Sequence, residues 1–234
     1  MIKKLSIADV SIDVVFKDIK NVHLSVYPPT GRVRVSAPHK MDLETIRLFA
    51  VSKINWIRKN QKKVLNQERE TPREYIERES HYLWGNRYLL RIKDNKCTDV
   101  KVDNRHIELP SPKGSTFDYR KKIFDEFYRK ELRQEAHFFI GKWEKRLGVK
   151  VERFYIQRMK TKWGSSSPKK NIIRLNLDLA KFPKECLNYI VLHEMAHFLV
   201  PNHGEAFINI LDANLPDWQT IRENLNKGPL TTLA

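Results

Sequence analysis

Apolar and polar residues alternate near the start of the chain. Val22, Leu24 and Val26 are separated by single polar residues, and so are Val33 and Val35. A period of two is the signature of a half-buried strand. PPTG at 28–31 lies between the two runs and supplies turn residues, so the pattern predicts a hairpin. The period then changes. Ile46, Phe49, Ala50, Ile54 and Ile57 fall on one stripe, which predicts a helix over 43–65 with Asp42 as its N-cap. The end of this helix, RKNQKK at 58–63, is basic, and 67–80 reads as a charged linker. Two more hairpins are predicted. One pairs 82–84 with 88–92 across Gly85-Asn86, and the other pairs 99–102 with 106–109 across Asp103-Asn104.

PSPKGS at 110–115 reads as a boundary. It divides the chain into a β-rich N-terminal region with one helix (1–112) and a second domain (113–234). The second domain opens on a long helical stripe: Phe117, Phe124, Tyr128, Leu132, Ala136, Phe139, Trp143 and Leu147, ended by Gly148. VERFYI (151–156), a loop KTKWGSSSPKK (161–170) and an alternating strand NIIRLNLDL (171–179) follow. Pro183 suits the first turn of a final apolar helix that runs to about Leu199. No internal repeat or low-complexity tract is visible. The fold class is α+β.

Charge changes this picture. The 234 residues carry a formal net charge of +16. The surplus is uneven. Residues 1–118 hold 23 Lys/Arg against 15 Asp/Glu, 119–162 hold 14 against 6, and 163–234 hold 7 against 7. A basic surface over 1–162 attracts polyanions, so DNA is a candidate partner through that region. There are two cysteines, Cys97 and Cys186, in no CxxC arrangement, which points to a reducing compartment. Asp9 and Asp13 interrupt any apolar leader, and no run long enough to span a membrane exists. A cytoplasmic protein without membrane contact is expected.

Candidate chemistry is concentrated in VLHEMAHFLVPNH, residues 191–203. His193 and His197 lie four apart, which puts both on one face of a helix where two imidazoles can reach one ion. Glu194 is about a quarter-turn away and can reach a water on that ion. This is the division of labour in HExxH hydrolases: two ligands and a general base. The surroundings are apolar, and a bound metal removes the cost of burying these polar groups. Pro201 disfavours helical geometry at Val200, so the helix should stop there, and Asn202 tolerates a turn. The chain can then fold back to present His203 as third ligand. Glu205, Asp212, Asp217 and Glu223 are rivals for that post, Asp217 and Glu223 being far enough along to return on a second helix. Three protein ligands leave a fourth position for water, as in a catalytic zinc site. His23, His39, His81, His106 and His137 are scattered and carry no pattern.

The run from Trp163 to Phe207 resembles the YgjP-like (also called WLM) metallopeptidases, relatives of the SprT-like proteases. The resemblance rests on Trp163-Gly164-Ser165, Leu175-Asn176, Pro183, Tyr189, the HEMAH run from His193 to His197, Asn202-His203 and Phe207. The N-terminal hairpin and Ile54-Asn55-Trp56-Ile57 also look like the family. The resemblance implies a small zincin-like domain with one Zn2+ ion on His193, His197 and His203, and Glu194 as base. It places Trp163, Ser166 and Asn202 near substrate or behind the ligands. Ser166 stands where the family has cysteine, and Ile208 where it has tryptophan.

The expected function is a zinc-dependent metallopeptidase acting on protein or peptide. The alternative is a nucleic-acid-associated binding module with a structural or vestigial zinc site. By analogy with zinc proteases, NIIRLNLDL is a candidate edge strand for an extended substrate. Tyr155, Tyr189 and Asn202 are candidate oxyanion stabilisers.

Overall fold

The computed structural model describes residues 2–27, 30–66, 69–70, 72–95, 99–159, 161–227 and 230–231. The PP of the first predicted turn and Cys97 lie outside these residues. The chain divides into two compact units, Met1–Glu70 and Thr71–Ala234.

In the first unit, strands β1 (Ile2–Ile7), β2 (Val10–Lys17), β3 (His23–Tyr27) and β4 (Arg32–Pro38) form a sheet in the order β1-β2-β4-β3. The central pair β2–β4 is parallel and the outer pairs are antiparallel. The predicted β3–β4 hairpin is therefore present. Alternate residues Val10, Ile12 and Val14 of β2 and Val33, Val35 and Ala37 of β4 point to one face, where they are buried. That face packs on Ile46 and Ala50 of α1 (Leu43–Ser52) and Ile57 of α2 (Ile54–Leu65). The single helix expected over 43–65 is thus two. Ser52 Oγ donates back to the Phe49 carbonyl at 2.7 Å, and Lys53 leaves helical geometry at φ −106°, ψ 7°. Serine bonded to its own preceding turn bends a helix. Asp42 caps α1 as expected, accepting from the Thr45 amide at 2.7 Å. The two-residue strand β5 (Arg69–Glu70) closes the unit.

In the second unit, β6 (Ser80–Leu83), β7 (Asn86–Lys93), β8 (Lys101–Val102) and β9 (His106–Pro110) form a sheet in the order β6-β7-β9-β8. Both predicted hairpins exist, but the turn of the first is Trp84-Gly85, with φ 51° and 81°, rather than Gly85-Asn86. The pairing again runs antiparallel, parallel, antiparallel. The strand path of the first unit is therefore used twice, although no sequence repeat announces it.

The boundary expected at residue 112 is corrected to Glu70–Thr71. Leu90, Ile107 and Leu109 of this sheet share one core with α3 (Phe117–Leu147) and with later residues as far as Leu225. α3 begins at the Thr116 cap and ends at Gly148, which is left-handed with φ 66°. Its buried stripe is Phe124, Phe127, Tyr128, Leu132, Ala136, Ile140 and Trp143. Phe117, expected in the stripe, is 45% exposed, and Ile140 takes the place expected for Phe139.

A three-stranded sheet follows, built from β10 (Arg153–Gln157), β11 (Gly164–Ser167) and β12 (Ile172–Asn176) in the order β10-β12-β11. β12 is central, parallel to β10 and antiparallel to β11. The reading of NIIRLNLDL as an edge strand is therefore wrong. Part of it is not strand at all, since Leu177–Lys181 is a 3-10 turn. The outer strands are β10 and β11, the latter from the stretch expected to be a loop. Gly-Ser-Ser-Ser has neither apolar alternation nor β-branched residues, and it becomes a strand by pairing with β12.

Four more elements complete the unit: α4 (Lys184–Ala196), α5 (Glu205–Asn214), α6 (Trp218–Lys227) and β13 (Leu230–Thr231). α4 is buried on nearly every side, from Cys186 to Ala196. It lies against α3, where fully buried Trp143 donates from Nε1 to Asn188 Oδ1 at 2.9 Å. No helix among the described residues is long and apolar enough to cross a membrane.

Candidate metal centre

α4 carries the two histidines and the glutamate. It ends at Ala196, with His197 as its C-cap, and a turn continues to Val200, whose amide donates to the Ala196 carbonyl at 2.9 Å. The helix therefore stops slightly before the expected Leu199. The chain reverses through Pro201 and Asn202 and enters α5 after Gly204.

This reversal brings His203 back to α4. His203 Nε2 lies 3.2 Å from His193 Nε2. Ring nitrogens of His193, His197 and His203 all lie within 4.8 Å of one another. Two nitrogens on one tetrahedral zinc ion would be about 3.3 Å apart, from bond lengths of 2.0–2.1 Å. The triad fits such an ion. The outer nitrogens fit too: His197 Nδ1 is 3.2 Å from the Val200 carbonyl, and His193 Nδ1 is 3.5 Å from the Tyr189 hydroxyl. Partners on Nδ1 orient a ring so that Nε2 faces a metal.

Electrostatics favour neutral, ligating rings. Burial, then the neighbouring His197 and His203, then Arg222 push His193 down to about 3. Burial also lowers His197, opposed by its bond to Val200. Desolvation penalises the charged form, so both rings keep a lone pair at neutral pH.

Phe207 of α5 forms an apolar floor. Its ring centroid lies 4.9, 4.7 and 4.7 Å from those of His193, His197 and His203, and the residue is 1% exposed. None of the rival carboxylates Glu205, Asp212, Asp217 and Glu223 joins the triad among the described residues. Asp212 instead accepts from Trp218 Nε1 at 2.7 Å.

Glu194 is 6% exposed and points to β11. A β-carbon on Gly164 would lie 2.6 Å from Glu194 Oε1, so the carboxylate rests on bare backbone. Burial raises Glu194 to about 7, and a hydrogen bond with Ser166 and the charge of Lys162 oppose the rise. A carboxylate poised near neutrality suits a general base.

The loop before β11 is held by Asn176, a residue whose role sequence reasoning missed. Its Nδ2 donates to the carbonyls of Met159 and Lys162 at 3.0 and 2.8 Å. Its Oδ1 accepts from the amides of Met159 and Asp178 at 3.3 and 3.2 Å. An asparagine that closes a strand and ties a loop was visible only as part of the Leu175-Asn176 pair. Trp163 lines the cleft and packs edge-on against Phe182, with centroids 5.0 Å apart. Asn202 is exposed and does not line the cleft. Tyr155 is 43% exposed on β10 and also lies outside it, whereas Tyr189 lines it.

The model of the YgjP-like, metallopeptidase domain matches residues 20–228. Two crystal structures of metallopeptidase zymogens share part of the chain. Jannalysin of Methanocaldococcus jannaschii is 29% identical over 39% of this chain and 87% of its own, with a TM-score of 0.36. Abylysin of Pyrococcus abyssi is 20% identical over 38% and 90%, also with a TM-score of 0.36. No curated protein matches the chain. With a family match that spans both compact units and includes every residue of the histidine site, the chain belongs to the YgjP-like metallopeptidases.

Proposed function

We propose that the protein is a zinc-dependent peptidase in which His193, His197 and His203 hold one ion and Glu194 is the general base. The observation that carries this reading is the convergence of three imidazoles, two from the end of α4 and one from the turn before α5, beside the buried carboxylate of α4. When bound, zinc supplies a Lewis acid that polarises the scissile carbonyl and acidifies water.

The chain's own residues do the rest. Glu194 takes a proton from the attacking water and passes it to the leaving amine. Gly164 and Ser166 fix where its carboxylate sits. Tyr189, whose hydroxyl is 3.5 Å from His193 Nδ1, orients that ring. The outer edge of β11 pairs with no other strand among the described residues. It offers backbone groups to an extended peptide beside Glu194, and such pairing depends little on side chains. The alternative of a nucleic-acid-associated module has only the charge balance behind it, so the peptidase reading is preferred.

Glu194→Gln tests the reading. The variant should keep its zinc and lose peptide hydrolysis, and unchanged hydrolysis would remove Glu194 from the mechanism.

A further inference from the structure

The cleft that holds the histidine triad extends to α6, where Trp218, Arg222 and Leu225 line it. Among the described residues, Glu194, Lys162 and Arg222 are its only lining residues with a formal charge, apart from the histidines. Glu194 is buried, while Lys162 and Arg222 are exposed. Among the described residues, a ligand entering the cleft therefore meets two cations and no exposed carboxylate.

Arg222 is tied to the centre by aromatic contacts. Its guanidinium carbon lies 6.0 Å from the Trp218 ring centroid. Trp218 is buried and stacks on Tyr189 at 6.1 Å with 16° between the planes. The Tyr189 ring is in turn 5.7 Å from that of His193. This ladder runs from Arg222 through Trp218 and Tyr189 to His193. Among the described residues no carboxylate forms an ion pair with Arg222. An arginine placed over an aromatic face, with its fork unused, is built for a planar anion. Leu211, Trp218 and Leu225 supply apolar surface in the same cleft.

We infer that Arg222 is a specificity residue of the cleft: it binds a carboxylate of the substrate, while Leu211, Trp218 and Leu225 receive an adjoining apolar side chain. The inference rests on the peptidase reading. The carboxylate belongs to a free C-terminus or to an Asp or Glu side chain, and the two sources share one chemistry.

Binding to the zinc-loaded full chain carrying Glu194→Gln tests this without turnover. Three fluorescent peptides share one neutral sequence. The first ends in an amide, the second in a free carboxylate, and the third is amidated with an internal glutamate. One carboxylate peptide should bind roughly tenfold or more tighter than the amide, the size of one charge-assisted hydrogen bond. Adding Arg222→Gln should erase that preference, Arg222→Lys should restore part of it, and Arg222→Glu should turn it into discrimination against the carboxylate. Which peptide gains identifies the source. Equal binding of all three peptides, or a preference that survives Arg222→Gln, would overturn the inference. The peptidase reading fails separately: a zinc-loaded wild type that cleaves none of the three, beside an Arg222-dependent preference, would leave a carboxylate-binding site without peptidase chemistry.

Discussion

Glu194 and Gly164 occupy one another's space. The missing side chain of Gly164 is the room in which the carboxylate lies, with Oε1 and Cγ at 2.6 and 2.9 Å from where a β-carbon would be. Gly164→Ala should displace the base and leave the imidazoles alone. A misplacement of about 1 Å can cost on the order of 100-fold in rate. The expected result is a fall of that order in kcat with metal content unchanged. Full activity would show that β11 does not position Glu194.

The third ligand can be checked by metal content. His203→Ala should lower zinc affinity by more than the roughly 10–100-fold that loss of an outer-shell partner costs. Asp217→Ala and Glu223→Ala should leave it unchanged. The reverse pattern, measured by competition with a chromophoric chelator, would move the ligand to Asp217 or Glu223.

The metal-free protein should show the burial of Glu194 in its pH dependence. Glu194 is raised from 4.5 to about 7, so the folded state keeps a proton that the unfolded state has released. Its contribution to stability is full below 4.5 and is lost as pH rises through 7. His193, lowered from 6.5 to about 3, has the opposite sense: its contribution is lost as pH falls from 6.5. Glu194→Gln should therefore stabilise the metal-free chain at pH 8 by up to ~3 kcal/mol, and the gain should vanish near pH 4.5. Denaturant titrations at the two pH values decide it. A gain independent of pH would mean that Glu194 is not the titrating group.

Asn176 and Trp143 offer a paired test of which buried hydrogen bonds serve the site. Asn176→Leu strands the carbonyls of Met159 and Lys162, and Trp143→Phe strands Asn188 Oδ1. Each should cost about 1–3 kcal/mol per unsatisfied group in urea unfolding. Asn176→Leu alone should also depress activity, since it frees the loop that enters β11. Equal activity loss in both would mean that Asn176 has no special tie to the site.

Sequence reading worked where one period governs one element. The 3.6-residue stripe of α3, the Asp42 and Gly148 caps, and the β3–β4 hairpin followed from local pattern. The turn at Pro201 that brings His203 back beside His193 and His197 was local too. Sequence reading failed where tertiary pairing overrides local preference. β11 has no strand pattern of its own, and its neighbour β12 was placed at an edge that belongs to β11. The break at Lys53 depends on a serine bonding backwards, which no periodicity records. The unit boundary was drawn at a Pro- and Gly-containing turn, PSPKGS, while the charged stretch before β6 holds the real one. Gly164, Asn176 and Arg222 were not recognisable as site residues, since their partners are brought to them only by the fold.

The triad joins two stretches of chain. His193 and His197 belong to α4, whereas His203 lies past the reversal at Pro201, just ahead of α5. An ion held by all three would therefore act as a rivet between the buried helix and the exposed bend from Leu199 to Gly204, with its free energy of binding added to the docking of α5. Stripping the metal would do more than silence the enzyme. It would unfasten that bend and open it to cutting by a foreign protease.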